Sequence, residues 1–182
     1  TFQIICAPPP PTNPCTNVLN IPACGTNTTV SLLATNGLWN LTACAGGTTP
    51  GREQLYTFTP TGTGNYQFSA SAANAQARYF VKPVSAGCDT SNFTCIGTVG
   101  AAGNIGGPVA LTGGIQYYVL VDAVNPNTTT NHTFRINCLA TDPCNSILPL
   151  ACGTPTTVAL NPGTGLWGNA FCGYGLPGRE QL

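Results

Sequence analysis

Short apolar runs, alternating or β-branched, recur along the chain between Gly, Pro and Asn, and none carries the periodicity of an amphipathic helix. They predict strands over residues 28–34, 53–59, 64–71, 77–84, 106–112, 115–123 and 131–138. Residues 116–122 (QYYVLVD) are almost continuously apolar, as suits a strand buried between two sheets. Gly62-Thr63-Gly64-Asn65 and Thr112-Gly113-Gly114 are turn signals. Seven or more strands at this spacing predict an all-β fold, a β-sandwich or jelly roll.

Self-comparison exposes a repeat. Residues 24–44 read CGTNTTVSLLATNGLWNLTAC and residues 152–172 read CGTPTTVALNPGTGLWGNAFC, 21 positions without a gap and 11 of them identical. PGREQL follows in each copy, at 50–55 and 177–182. TFQIIC at 1–6 matches TFRINC at 133–138, and Pro14-Cys15 matches Pro143-Cys144, so the period is about 130 residues. The organisation expected is a terminal strand of a preceding repeat at 1–6, a Pro-rich linker at 7–14 and a complete repeat at 15–138. A second linker at 139–143 and the opening part of a next repeat at 144–182 follow. The linker APPPPTNP should be extended polyproline, a stiff spacer. With no methionine, the chain reads as a window on a longer array. Repeats joined in this way are expected to exchange strands, with segment 1–6 or 144–182 pairing in a sheet outside its own domain.

The order NPC, CGT–TTV, GLW–C, PGREQLYTFTPTGTGNYQFSAS, GC–C and PVALTGGIQYYVLVDA resembles the bacterial pre-peptidase C-terminal type of domain, over roughly 15–138 and again 144–182. The resemblance implies a β-sandwich in which the YTFTP and GGIQYYVLVDA segments adjoin. It also implies a secreted or surface-attached accessory module, often present in arrays. Acidic residues common in that family after the mid-domain cysteines are missing here.

Only 5% of residues are charged and the formal net charge is zero. The basic residues Arg52, Arg78, Lys82, Arg135 and Arg179 are scattered singly, which excludes a nucleic-acid surface. So little charge leaves sugars or burial in an assembly to keep the chain soluble. No apolar run approaches the ~18 residues of a membrane span. Ten cysteines without C-x2-C spacing, and a lone His132, point to disulfides outside the cytosol rather than to a metal; no metal and no cofactor are expected.

The short loop 88–95 suggests a Cys88–Cys95 bridge, and the constant span suggests Cys24–Cys44, with Cys152–Cys172 its counterpart. Cys15–Cys138 would remain, or else local pairs Cys6–Cys15 and Cys138–Cys144. Trp39 and Trp167 recur as GLW and are expected to pack beside a disulfide; an exposed pair would instead stack on sugar. Arg52-Glu53 recurs as Arg179-Glu180 and is expected to take part in a buried or inter-repeat ion pair that fixes geometry. Asp89, Asp122 and Asp142 are the other acids, placed in a loop, a strand end and a linker, so the paired carboxylates of a glycosidase are not expected. His132 is expected in a solvated loop. Sequons begin at Asn27, Asn40, Asn92, Asn127 and Asn131, and the run Thr128-Thr129-Thr130 offers O-linked sites, so covalent glycans are expected.

Together these features predict a non-catalytic structural repeat of an extracellular bacterial filament or surface adhesin, with copies of itself as head-to-tail partners. The alternative is a carbohydrate- or protein-binding accessory module of a secreted enzyme, marked by an exposed aromatic row beside polar groups in a groove.

Overall fold

The alternating runs fold as strands in two sheets of a computed structural model that describes residues 10–42, 47–71, 76–99 and 102–138. These belong to the first of two compact units, Thr1–Cys138 and Leu139–Leu182. Among the described residues the strands are β1 (Leu19–Ile21), β2 (Thr28–Leu32), β3 (Glu53–Phe58), β4 (Gly64–Ala70), β5 (Ala77–Pro83), β6 (Thr94–Val99), β7 (Gly103–Asn104), β8 (Val109–Leu111), β9 (Tyr117–Ala123) and β10 (Thr130–Cys138). Sheet one runs β1-β3-β9-β5-β6; sheet two runs β2-β10-β4-β7, with β8 also on β4. All pairings are antiparallel except the short parallel contact of β1 with β3.

Between the sheets the period-2 pattern delivers one apolar face from each strand. Tyr56, Phe58, Tyr79, Val81, Val119 and Val121 of sheet one meet Val30, Leu32, Tyr66, Phe68, Phe134 and Ile136 of sheet two. The rings pack edge to face, Phe134 lying 5.1 Å from Tyr79 and 5.6 Å from Tyr56. Each fully buried side chain of this kind stabilises the fold by about 1.5–3 kcal/mol.

Sheet one is covered on its other face as well. Leu55, Phe80 and Leu120 form a row across β3, β9 and β5, and Trp39, Leu41 and Phe93 lie on it from the segments that precede β3 and β6. Leu120 can therefore be as buried as its neighbours Val119 and Val121, which explains the nearly continuous apolar reading of β9. The domain has three layers: sheet two, sheet one and a layer of loops.

Two strands depart from expectation. Residues 106–112 do not form one strand, because Gly106-Gly107-Pro108 separates β7 from β8 and proline has no amide to donate. Residues 94–99, expected as the end of a disulfide loop, form β6. A Cβ on Gly97 would sit 2.8 Å from the amide of Gly106, so the chain passes close to β6 there and a side chain is excluded. At the start of the domain, within the stretch expected as a linker, Pro14 is buried and opens a 3-10 turn, Pro14–Thr16, capped by the Asn13 side chain.

The disulfides also depart from expectation. Cys15 is bonded to Cys88 and Cys24 to Cys138, with Cα atoms 6.0 and 5.7 Å apart. The expected Cys88–Cys95 bridge is absent because Cys95 sits in β6 opposite Phe80 while Cys88 turns towards the Pro14–Thr16 turn. The 88–95 loop is closed instead by Lys82. Its ammonium, fully buried, donates to the Asp89 carbonyl, the Asp89 carboxylate and the Ser91 carbonyl, and lies 4.6 Å from the Phe93 ring centroid. Cys24–Cys44 fails because residues 24–44 are not a hairpin: Gly25 is hydrogen-bonded to Ile136 in sheet two, whereas Trp39 and Leu41 lie on the far face of sheet one. Cys15 and Cys138 are consumed in these bridges, which removes Cys15–Cys138, Cys6–Cys15 and Cys138–Cys144. Cys95 is disulfide-bonded too. Cys6, Cys44, Cys144, Cys152 and Cys172 lie outside the described residues, as do Trp167, Arg179, Glu180 and the segments 1–6 and 144–182 assigned to strand exchange.

Candidate functional site

The two recurring motifs, GLW and PGREQL, meet in space. Gly37 donates its amide to the Pro50 carbonyl, and Gly51 donates to Ala123 on β9. Glu53, at the start of β3, accepts from the amides of Leu38 (2.8 Å) and Trp39 (3.0 Å) through one carboxylate oxygen. The other oxygen lies over Gly37, where a Cβ would be 2.0 Å from it and 2.0 Å from the Gly51 carbonyl. Glycine at 37 and glutamate at 53 thus require each other. Trp39 is turned inward, 7% exposed and 6.1 Å from the Phe93 ring, so it offers no sugar-stacking platform. The expected ion pair is not formed between Arg52 and Glu53; backbone amides hold the carboxylate instead, and one Arg52 nitrogen is buried without a partner.

Across sheet one the strand register sets Glu53 opposite Asp122, and Asp122 opposite Arg78. All three are buried beneath the loop layer, Asp122 completely. Burial pushes the Asp122 carboxyl up to about 9, helped by the Glu53 charge and opposed by Thr49 and Arg78. Burial also raises Glu53, against the pull of the Leu38 and Trp39 amides. Thr49 lies 2.6 Å from Asp122 and 3.3 Å from the Leu41 carbonyl. Its one hydroxyl proton cannot serve both, whereas a protonated Asp122 donates to Thr49 and frees it to donate to Leu41. Arg78 also donates to the Gly47 carbonyl. These acids lie where the loop layer meets sheet one, and Glu53 and Asp122 hold that layer through the amides of Leu38 and Trp39 and through Thr49.

His132 is not a loop residue. It lies in β10 between the sheets, 3% exposed, bonded to the Tyr79 hydroxyl, and burial lowers its pKa to about 4. Asp89, in the loop as expected, is held down to about 2 by Ser91 and Lys82. Asn27, Asn40, Asn92, Asn127 and Asn131 are all exposed, with Thr128 and Thr129. Thr130 is 1% exposed, so the folded domain cannot carry a sugar there.

The outer face of sheet two is open in part: Gln67 of β4 is buried there and donates to the Gly106 carbonyl, while the face beside it is exposed. Period 2 turns Asn131, Thr133, Arg135 and Asn137 of β10 outward beside Ser69 of β4 and Thr29 and Ser31 of β2. A hollow of about 390 Å³ runs along this face, walled in part by Asn27, Ser69, Ser71, Asn104, Arg135 and Asn137. Asn137 donates to Ser69 at 2.9 Å. The face was hidden in the sequence reading because its Asn, Ser and Thr looked like ordinary strand exteriors.

No family model matches the chain, and no curated protein matches it. Among solved structures it is similar to the pre-peptidase C-terminal domain of a collagenase from Bacillus anthracis. The two are 15% identical over 72% of this chain and 98% of that one, with a TM-score of 0.42.

Proposed function

We propose that residues 15–138 form a non-catalytic accessory module of a secreted protein, binding carbohydrate along the open face of sheet two. The observation that carries this reading is the hollow to which Asn27, Ser69, Ser71, Asn104, Arg135 and Asn137 contribute polar side chains. Amide, hydroxyl and guanidinium groups there offer donors and acceptors to sugar hydroxyls. The disulfides fit an extracellular protein. Retention on a panel of insoluble polysaccharides tests the reading. The chain should be retained on at least one, and Arg135→Ala with Asn137→Ala should release it. No retention, or retention indifferent to both substitutions, overturns it.

A second reading, a repeat of a surface filament or adhesin, is favoured by the internal repeat and by a surface nearly free of charge. It requires copies to associate through contacts of their own.

A further inference from the structure

We propose that Leu38 is an anchor by which this domain docks onto another copy of itself. Four large apolar residues are identical between segments 24–44 and 152–172: Val30, Leu32, Leu38 and Trp39. Val30, Leu32 and Trp39 are buried, at 0%, 3% and 7% exposure, so the fold explains them. Leu38 is 51% exposed, and the fold of one domain does not. Exposed neighbours have changed between copies: Leu33 corresponds to Asn161, Asn36 to Thr164 and Asn40 to Gly168, while Leu38 corresponds to Leu166.

The side chain is also held in place. The amides of Leu38 and Trp39 share one Glu53 oxygen and Trp39 is packed inward, so Leu38 projects from a fixed backbone rather than from a loose loop tip. A fixed apolar side chain loses little freedom on docking.

A second copy is the occupant that the charges favour. Of the charged side chains among the described residues, only Asp89 and Arg135 are exposed, and Asp89 is paired with Lys82. Glu53, Arg78, Lys82 and Asp122 are buried. Surfaces this poor in charge do not repel one another, and zero net charge promotes association. This contact is separate from the hollow on sheet two, so it stands or falls without the carbohydrate reading.

Light scattering on size-fractionated, disulfide-intact chain over rising concentration tests the proposal. The mass of the natural chain should climb above 18.6 kDa. Leu38→Asp with Leu166→Asp should weaken association at least about tenfold, the effect of losing an interface anchor. Leu38→Ser with Leu166→Ser serves the same end if the charged pair fails to fold. Leu33→Asn, the residue the other copy carries, should associate like the natural chain. A natural chain that stays monomeric, or a folded Leu38/Leu166 variant that associates undiminished, overturns the proposal.

Discussion

Glu53 shows how much one residue can organise when its neighbours have no side chains in the way. One carboxylate oxygen joins the amides of Leu38 and Trp39, and the space for the other exists because residue 37 is glycine. Gly37→Ala would drive a methyl group into Glu53 and the Gly51 carbonyl. The expected loss is about 1–3 kcal/mol in denaturant unfolding. Glu53→Ala leaves two amides without acceptors and should cost about 2–4 kcal/mol, with Trp39 fluorescence shifted towards that of exposed tryptophan. The recurrence of Arg-Glu in two copies told of a fixed role, but not that the partner would be backbone fourteen residues upstream. Amide donors have no signature in a sequence.

Two buried titrating residues set the pH response. Asp122 has a folded pKa of about 9 against 3.8 unfolded, so its stabilisation is full below 3.8 and is lost as pH rises through 9. His132 has a folded pKa of about 4 against 6.5 unfolded, so its stabilisation is present above 6.5 and is lost as pH falls through 4. The slopes of Asp122 and His132 oppose each other between about 4 and 6.5, and above 6.5 the fall due to Asp122 is unopposed by His132, with the raised Glu53 acting in the same direction as Asp122. Stability should fall there by up to about 1.4 kcal/mol per pH unit from Asp122. Asp122→Asn should flatten that fall in urea unfolding at stepped pH; an unchanged slope would mean that Asp122 is already ionised.

At the scale of elements, the strands were legible where one face is wet. β2, β4 and β10 alternate and were placed within a residue or two. β9 was legible because both its faces are covered. β6 was not, since TCIGTV lies between a cystine and glycines that also read as a loop. The third layer was invisible because it has no regular structure: Trp39, Leu41 and Phe93 come from loops and meet only across sheet one. Lys82 makes part of this layer firm. Lys82→Met should keep the packing but release the 89–91 loop, costing about 1–3 kcal/mol and exposing that loop to proteolysis. The disulfides were misassigned for the same reason: sequence proximity favoured short loops, while the fold brings together cysteines 73 and 114 residues apart.

At the scale of the molecule, most of the scarce charge among the described residues has been drawn inward, and Asn, Ser and Thr are frequent on the exterior. This surface suits sugar in two senses, as ligand on sheet two and as covalent cover on the five exposed sequons. If glycans are attached, native intact mass should exceed the 18.6 kDa polypeptide, with added mass on Asn27, Asn40, Asn92, Asn127 or Asn131 and none on Thr130. A native mass equal to the bare polypeptide would leave docking between copies to account for a surface so poor in charge.

The central claim is that two covalent ties of long span brace the domain, one within the loop layer over sheet one and one at sheet two. Each is expected to stabilise the fold by about 4–5 kcal/mol through the entropy of the unfolded chain. Peptide mapping of the native chain without reduction tests it most directly. Cys15 should be recovered linked to Cys88, and Cys24 linked to Cys138. Recovery of Cys88 joined to Cys95, or of Cys24 joined to Cys44, would contradict it.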